Sequence, residues 1–369
     1  MEFEEYRLDD VATDPRLDPG GLLRQAATGA AQVRRSRSAV LEAGLDVLAQ
    51  EGRPRSVVIV GTGITAFSGD VLEVLLGTGL PVPVTTVEGT RLPGWVGAYD
   101  LVVVVAVASG QDDAGAVAVV VEAARRGCRL LAVGVPGGPL AGPAEQVRAP
   151  YAAVPLSGEP RTLLWAVATA LLTAVGTAGL RTVPEDGYEA TAVALEDAAH
   201  RCAPGVDTST NPAKVLALEL AGSLPVIWGT SPVTALAARR FASQLAADAR
   251  YPALAAGTPG AVETQAATLS GPLFPAGERS IFDDPETGAG LRPRVVLLKD
   301  DHAAPQDAAA LDGARLSALG AGAAVTEIAA KGAGPMERLA GLIALTDYAS
   351  LYLAVAYAVE PLTNTLVVR

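Results

Sequence analysis

Short apolar runs that end in Gly, Ser or Thr alternate along this chain with longer stretches whose apolar positions recur every three or four residues. The first pattern predicts buried strands and the second amphipathic helices. Residues 21–27 and 33–50 carry the helical spacing. The run 56–60 (SVVIV) reads as a strand. It ends at Gly61-Thr62-Gly63, and helical spacing resumes over 66–76. Residues 81–87 predict a second strand. Residues 100–108 (DLVVVVAVA) predict a third, apolar on both faces as a central parallel strand must be. After a break at Ser109-Gly110, a helix over 114–126 leads to a strand at 129–133, a further strand at 147–154, and an apolar helix from Thr162.

Beyond a polar link at 181–187 the pattern restarts. Helical stretches precede a strand at 224–228 (LPVIW), which ends at Gly229-Thr230-Ser231 and is followed by a helix over 233–248. Strands at 294–298 and 324–328 bracket a helix at 308–319, and a long helix over 335–358 closes the chain. Residues 134–142 and 272–293, rich in Gly and Pro, read as loops. Strands alternating with helices imply βαβ units with right-handed crossovers. The expected fold is therefore α/β, with two doubly wound parallel sheets flanked by helices. The domains are drawn at 1–183 and 184–369, a duplication at the level of the fold.

Composition changes this picture little. A chain of 369 residues is long for one core, which agrees with two domains. Half of it is hydrophobic but only 4% aromatic, so Ala, Val, Leu and Gly must fill the interior. The net charge is −12 and no run of Lys or Arg exceeds two, which speaks against nucleic acid or an anionic membrane as partner. Cys128 and Cys202 match no metal or redox spacing. The only histidines, His200 and His302, rule out a His-rich metal site, and no cofactor is expected. The acidic start MEFEEYRLDD is unlike a signal peptide, so a cytoplasmic location is expected. Residues 163–180 carry no charge and reach the lower length of a membrane span. Their Ala, Thr and Gly content favours a buried helix at a domain or subunit interface.

In parallel sheets ligands sit beyond the carboxyl ends of the strands. The turns at 61–68, 109–113 and 229–234 qualify, and small or hydroxyl residues at helix starts there favour an anion. The turn Gly61-Thr62-Gly63-Ile64-Thr65-Ala66 has the form G-x-G-x-x-A. A dinucleotide reading of it would use Glu88 for the ribose. A tight turn that binds nothing has the same pattern.

Several segments in order resemble the sugar isomerase (SIS) domains of bacterial and archaeal bifunctional phosphoglucose/phosphomannose isomerases. Residues 61–72 (GTGITAFSGDVL) resemble the family's first glycine-rich turn. Residues 92–104 (LPGWVGAYDLVVV) lead to 107–113 (VASGQDD) in place of S-Y-S-G-N-T-E. Residues 158–161 (GEPR) resemble the P-G-x-x-P-R segment, and 224–229 the second-domain strand. Residues 342–359 resemble the terminal helix, with Asp347, Tyr348, Ser350, Tyr352, Leu353 and Ala354 all in place. The resemblance spans about 30–360. It implies two SIS domains, a homodimer, a sugar phosphate as ligand, and aldose–ketose isomerisation through an enediol. A glutamate would move the proton, a histidine would assist ring opening, and cations would stabilise the charge.

Carried over residue by residue, the resemblance implies substrate binding by Gly61, Gly63, Thr65, Ser109 and Gly110, with Arg161 as the catalytic cation. The remaining positions depart from the family. Val107 and Ala108 replace its first Ser and Tyr, and Asp112 and Asp113 replace its Thr and Glu. Carboxylates there would repel a phosphate by roughly 1 kcal/mol each if exposed. As helix-start residues they would instead satisfy free N–H groups. The proton-transfer glutamate falls on Ala247, the histidine falls on Glu263, and no lysine follows Lys331. Three readings compete. The first is an isomerase with a rearranged site that uses Glu263. The second is a non-catalytic sugar-phosphate-binding protein. The third is a structural subunit.

Overall fold

The computed structural model describes residues 2–107, 111–274 and 292–362. The chain forms two compact units. The first is Ala27–Glu196, and the second joins Met1–Ala26 to Asp197–Arg369. Two short helices, α1 (Arg7–Asp10) and α2 (Leu22–Ala26), open the chain and belong to the second unit.

The first unit runs α3 (Gly29–Glu42), α4 (Asp46–Gln50), β1 (Val57–Gly61), α5 (Ile64–Leu76), β2 (Val84–Glu88), β3 (Leu101–Ala106), α6 (Gln111–Arg125), β4 (Arg129–Gly134), α7 (Ala141–Gln146), β5 (Tyr151–Ala153) and α8 (Leu164–Thr177). Helix α9 (Glu185–Arg201) crosses the division between the units. All five strands are parallel, in the order β2-β1-β3-β4-β5. Val57 lies opposite both Leu101 and Val84. Val58, Val60, Val102 and Val104 pack with Val119, Val120 and Ala123 of α6 and with Leu140 and Ala144 around α7. Side chains alternate along a strand, so the other face is left for α5, which packs on β1 and β2 and is itself covered by α8. Each fully buried Val contributes about 1.5–3 kcal/mol through loss of contact with water. This is why β1 and β3 are almost wholly β-branched.

The second unit continues with α10 (Pro212–Leu220), β6 (Leu224–Trp228), α11 (Pro232–Ala249), β7 (Leu254–Ala256), α12 (Pro259–Thr268), β8 (Pro293–Asp300), α13 (Pro305–Gly320), β9 (Ala324–Ala330) and α14 (Pro335–Ala356). Its four strands are parallel in the order β7-β6-β8-β9. Val226, Trp228, Val295 and Leu297 face Val262, Ala266, Leu311, Ala314 and Ala318 of α12 and α13. Trp228 Nε1 donates to Gln265 Oε1 at 2.8 Å, so the one polar atom of that buried ring is satisfied.

The two doubly wound parallel sheets agree with the expected fold. Some elements differ. The helix expected over 33–50 is two helices. The strand at 147–154 shortens to three paired residues, and β7 and α12 were not expected as elements. The charge-free stretch 163–180 folds as the 14-residue α8, buried against α3 and α5 within the first unit. Among the described residues, α14 is the one helix long and apolar enough to cross a membrane, with mean hydropathy 1.6. Of that apolar window, 83% is buried, as in the core helix of a globular unit. Most of the loop expected over 272–293 lies outside the described residues.

Candidate functional site

A strand order of 2-1-3-4-5 reverses direction between β1 and β3, and the crevice beyond their carboxyl ends is where such sheets bind ligands. The turn Gly61-Thr62-Gly63 leaves β1 there and starts α5. Gly63, at φ 54° and ψ −117°, is the N-cap, and no side chain caps the helix. That backbone conformation is costly for any residue with a Cβ. Gly61 is fixed by contact rather than conformation: a Cβ on it would stand 2.2 Å from Thr65 Cγ2. Thr65 is 2% exposed and covers the turn, and its N–H donates to Thr62 O at 3.1 Å. The start of α5 is an uncapped, positively polarised helix end, which suits an anion. Glu88 ends β2 beside Gly61 in the sheet register, and Gly89 N donates to Gly61 O at 3.2 Å.

Across the crevice, β3 ends at Ala106 and α6 begins at Gln111. Ser109 and Gly110 lie outside the described residues, as do the side chains of Asp112 and Asp113. Arg161 sits in a 3-10 turn, Pro160–Thr162, that follows the edge strand β5. Two strands separate β5 from β1, about 14 Å at ordinary strand spacing. Gln32 holds the turn: its Nε2 donates to Thr162 O at 2.8 Å, and its Oε1 accepts from Ala166 N at 3.1 Å.

The second sheet has its own crevice, between β6 and β8. Ser231 caps α11: its Oγ accepts from Thr234 N at 3.2 Å, and Ser231 N donates to Thr234 Oγ1 at 3.1 Å. Ser231 Oγ also donates to Asp300 Oδ2 at 2.9 Å. Asp300 ends β8, and its other oxygen accepts from His302 N at 3.0 Å. Arg338 Nε of α14 stands 3.1 Å from that oxygen, with the two side chains only 8% and 3% exposed. Thr230 Oγ1 donates to Asp307 O at 2.7 Å, across to the first turn of α13. The sequence singles out the turn 229–234 as a candidate loop but not its partners Asp300, Asp307 and Arg338. The one local signal was Ser231-Pro232-Val233-Thr234, a capping pattern with Pro at the first helical position.

The positions that the resemblance aligns with the family's proton-transfer residues are Ala247 and Glu263. Ala247 lies in the last turn of α11 and accepts from Leu362 N through its carbonyl at 2.9 Å. Glu263 is exposed on α12. The terminal-helix motif is structural in this chain. Arg240 of α11 donates to Asp347 of α14 from Nε at 3.0 Å and from a terminal nitrogen at 2.7 Å. Burial pushes the Asp347 carboxyl up, against the opposing pull of Arg240. Ser350 Oγ donates to Asp248 Oδ2 at 2.7 Å, and Tyr352 OH donates to Cys202 O at 2.6 Å. Burial drives the Cys202 thiol up to about 11, which removes it as a nucleophile at neutral pH.

A cavity of about 570 Å³ lies at the opposite, amino end of the first sheet, lined by Glu51, Cys128, Arg129 and Arg148 among others. Arg129 donates to Gly52 O at 2.6 Å and so anchors the end of α4. Among the described residues no cluster of three or more His, Cys, Asp or Glu could hold a metal.

Residues 209–368 match the family model for the bacterial phospho-glucose isomerase C-terminal SIS domain. The bifunctional phosphoglucose/phosphomannose isomerase of Caldicellulosiruptor bescii is 27% identical over 305 residues, 83% of this chain and 85% of that protein. A glucose-6-phosphate isomerase-like protein of Thermus thermophilus superposes with a TM-score of 0.53 at 22% identity, over 91% of this chain and 99% of that one. Tagatose-6-phosphate ketose/aldose isomerase of Escherichia coli gives 0.57 at 16% identity, over 92% and 93%. With two parallel sheets built in the same way, the chain has the fold of SIS-domain proteins and is similar to the bacterial phosphoglucose/phosphomannose isomerases.

Proposed function

We propose that this protein binds a sugar phosphate in the β1/β3 crevice of its first unit and lacks the family's proton-transfer pair. The observation that carries the reading is the turn Gly61-Thr62-Gly63. It sits at the switch point, with Gly63 at positive φ and the start of α5 uncapped by any side chain. Backbone N–H groups at such a helix start hold phosphate oxygens. Gly61 and Gly63 let the backbone approach the ligand and Thr65 fixes the turn, while Ser109 and Gly110 belong to the site on the resemblance alone. Arg161 as the cation of the site and a homodimeric assembly rest on the resemblance alone. Abstracting a proton next to a carbonyl needs a positioned base, and a methyl group at position 247 supplies none.

The test is incubation with fructose 6-phosphate while both aldose phosphates are followed. The expected result is no aldose formation, together with a rise in melting temperature on adding the sugar phosphate. Turnover that disappears in Glu263→Gln would favour a rearranged isomerase instead. The absence of both turnover and thermal shift would leave a structural subunit.

A further inference from the structure

The two crevices differ in one respect. In the first unit the helix that follows the central strand starts uncapped. In the second unit the same position is filled from within. Asp300 reaches from the end of β8 to the start of α11 and receives hydrogen bonds from Ser231 Oγ at 2.9 Å and from its own loop's His302 N at 3.0 Å. Arg338, 7% exposed, aims its guanidinium at the same carboxylate. Its Nε, buried and 3.1 Å from Oδ1, makes no well-aligned hydrogen bond there. One terminal nitrogen of Arg338 donates to Ala333 O at 2.9 Å, so the Nε–H is the buried donor that the two-oxygen carboxylate does not properly meet and that a larger oxyanion could.

We propose that the β6/β8 crevice is a second oxyanion site, for a phosphate or phosphate ester, held closed by the chain's own Asp300 acting as an internal ligand. The donors are Ser231 Oγ, His302 N and Arg338 Nε. A phosphate placed there would meet them with more oxygens than Asp300 has. It is excluded because Asp300 is covalently tethered at the site and because its charge repels a second anion. The inference rests on the proposed function only in taking the first crevice as the open one, and the two are measured separately.

The experiment is titration with inorganic phosphate at constant ionic strength, read by calorimetry and by melting temperature, on the wild type, on Asp300→Ala and on the near-isosteric Asp300→Asn. The wild type reports the first crevice alone, so absence of binding there counts against the proposed function and not against this inference. Each Asp300 variant is expected to bind one phosphate per chain more than the wild type. Phosphate should raise the melting temperature of each variant more than that of the wild type, and adding Arg338→Met should abolish the gain. If either folded variant binds no additional phosphate, or if the extra binding survives Arg338→Met, the inference is overturned. Failure of both variants to fold, with no rescue by phosphate in the refolding buffer, overturns it as well.

Discussion

At the scale of single residues, sequence pattern locates a turn and packing explains it. Gly61 reads in the sequence as one glycine of a loose G-x-G-x-x-A pattern. In the structure it is required by the Thr65 methyl group, which a Cβ would meet at 2.2 Å. Gly61→Ala is therefore expected to cost about 1–3 kcal/mol in urea unfolding, the range for overpacking a tight site. Gly61→Ala/Thr65→Ser should recover part of that, because the nearest colliding atom is gone. Strict additivity of the two changes would show that the contact is not the cause. Asp300 was illegible for a different reason. It ends a β-branched run like any strand-terminal polar residue, and its partner Ser231 lies 69 positions away. No local period reports a contact across that separation.

At the scale of elements, the strands with long apolar runs were readable because burial on both faces leaves an unbroken β-branched signature. β3 is the clearest case, with all six residues buried. β7 was not readable, because three residues carry no period. The terminal helix was readable as a family feature, but the sequence could not say what its polar residues do. The structure assigns them to packing: Asp347 to Arg240, Ser350 to Asp248, Tyr352 to a backbone carbonyl. Removing one partner of a buried ion pair strands the other charge. Arg240→Met is accordingly expected to destabilise the protein by about 3–5 kcal/mol, while Arg240→Met/Asp347→Leu should come close to wild type. Chemical denaturation of the two variants decides it. Equal losses in both would mean that hydrogen-bond geometry, rather than unpaired charge, sets the cost.

For the whole molecule, chain order and unit membership differ in a way that hydropathy cannot reveal. The first 26 residues pack with the second unit, so the first unit lies between two parts of the second along the chain. Lys214 of α10 shows what holds the opening segment in place. Its side chain is 0% exposed, and Nζ donates to Asp9 Oδ1 at 3.0 Å, Pro204 O at 2.9 Å and Val206 O at 2.7 Å, over the ring of Tyr352. Only Asp9 carries a formal negative charge among these partners, and Asp9 in turn is held below the usual carboxylate range by the Thr208 hydroxyl and by Lys214. Glu4 N donates to Ala356 O at 2.9 Å, and Phe3 meets Tyr357 edge-on at 5.2 Å between ring centres, so the same segment also covers the end of α14. A fragment of residues 197–369 would therefore keep the second sheet but leave a buried ammonium without its counter-ion and α14 without its cover. Such a fragment is expected to lack a cooperative thermal transition by circular dichroism and to gain one when a peptide of residues 1–26 is added. An Asp9→Asn peptide should restore less than the wild-type peptide, because it covers α14 equally but brings no charge to Lys214. Cooperative melting of the bare fragment would mean that the second sheet and its own helices suffice, and that the opening segment decorates the unit rather than completing it.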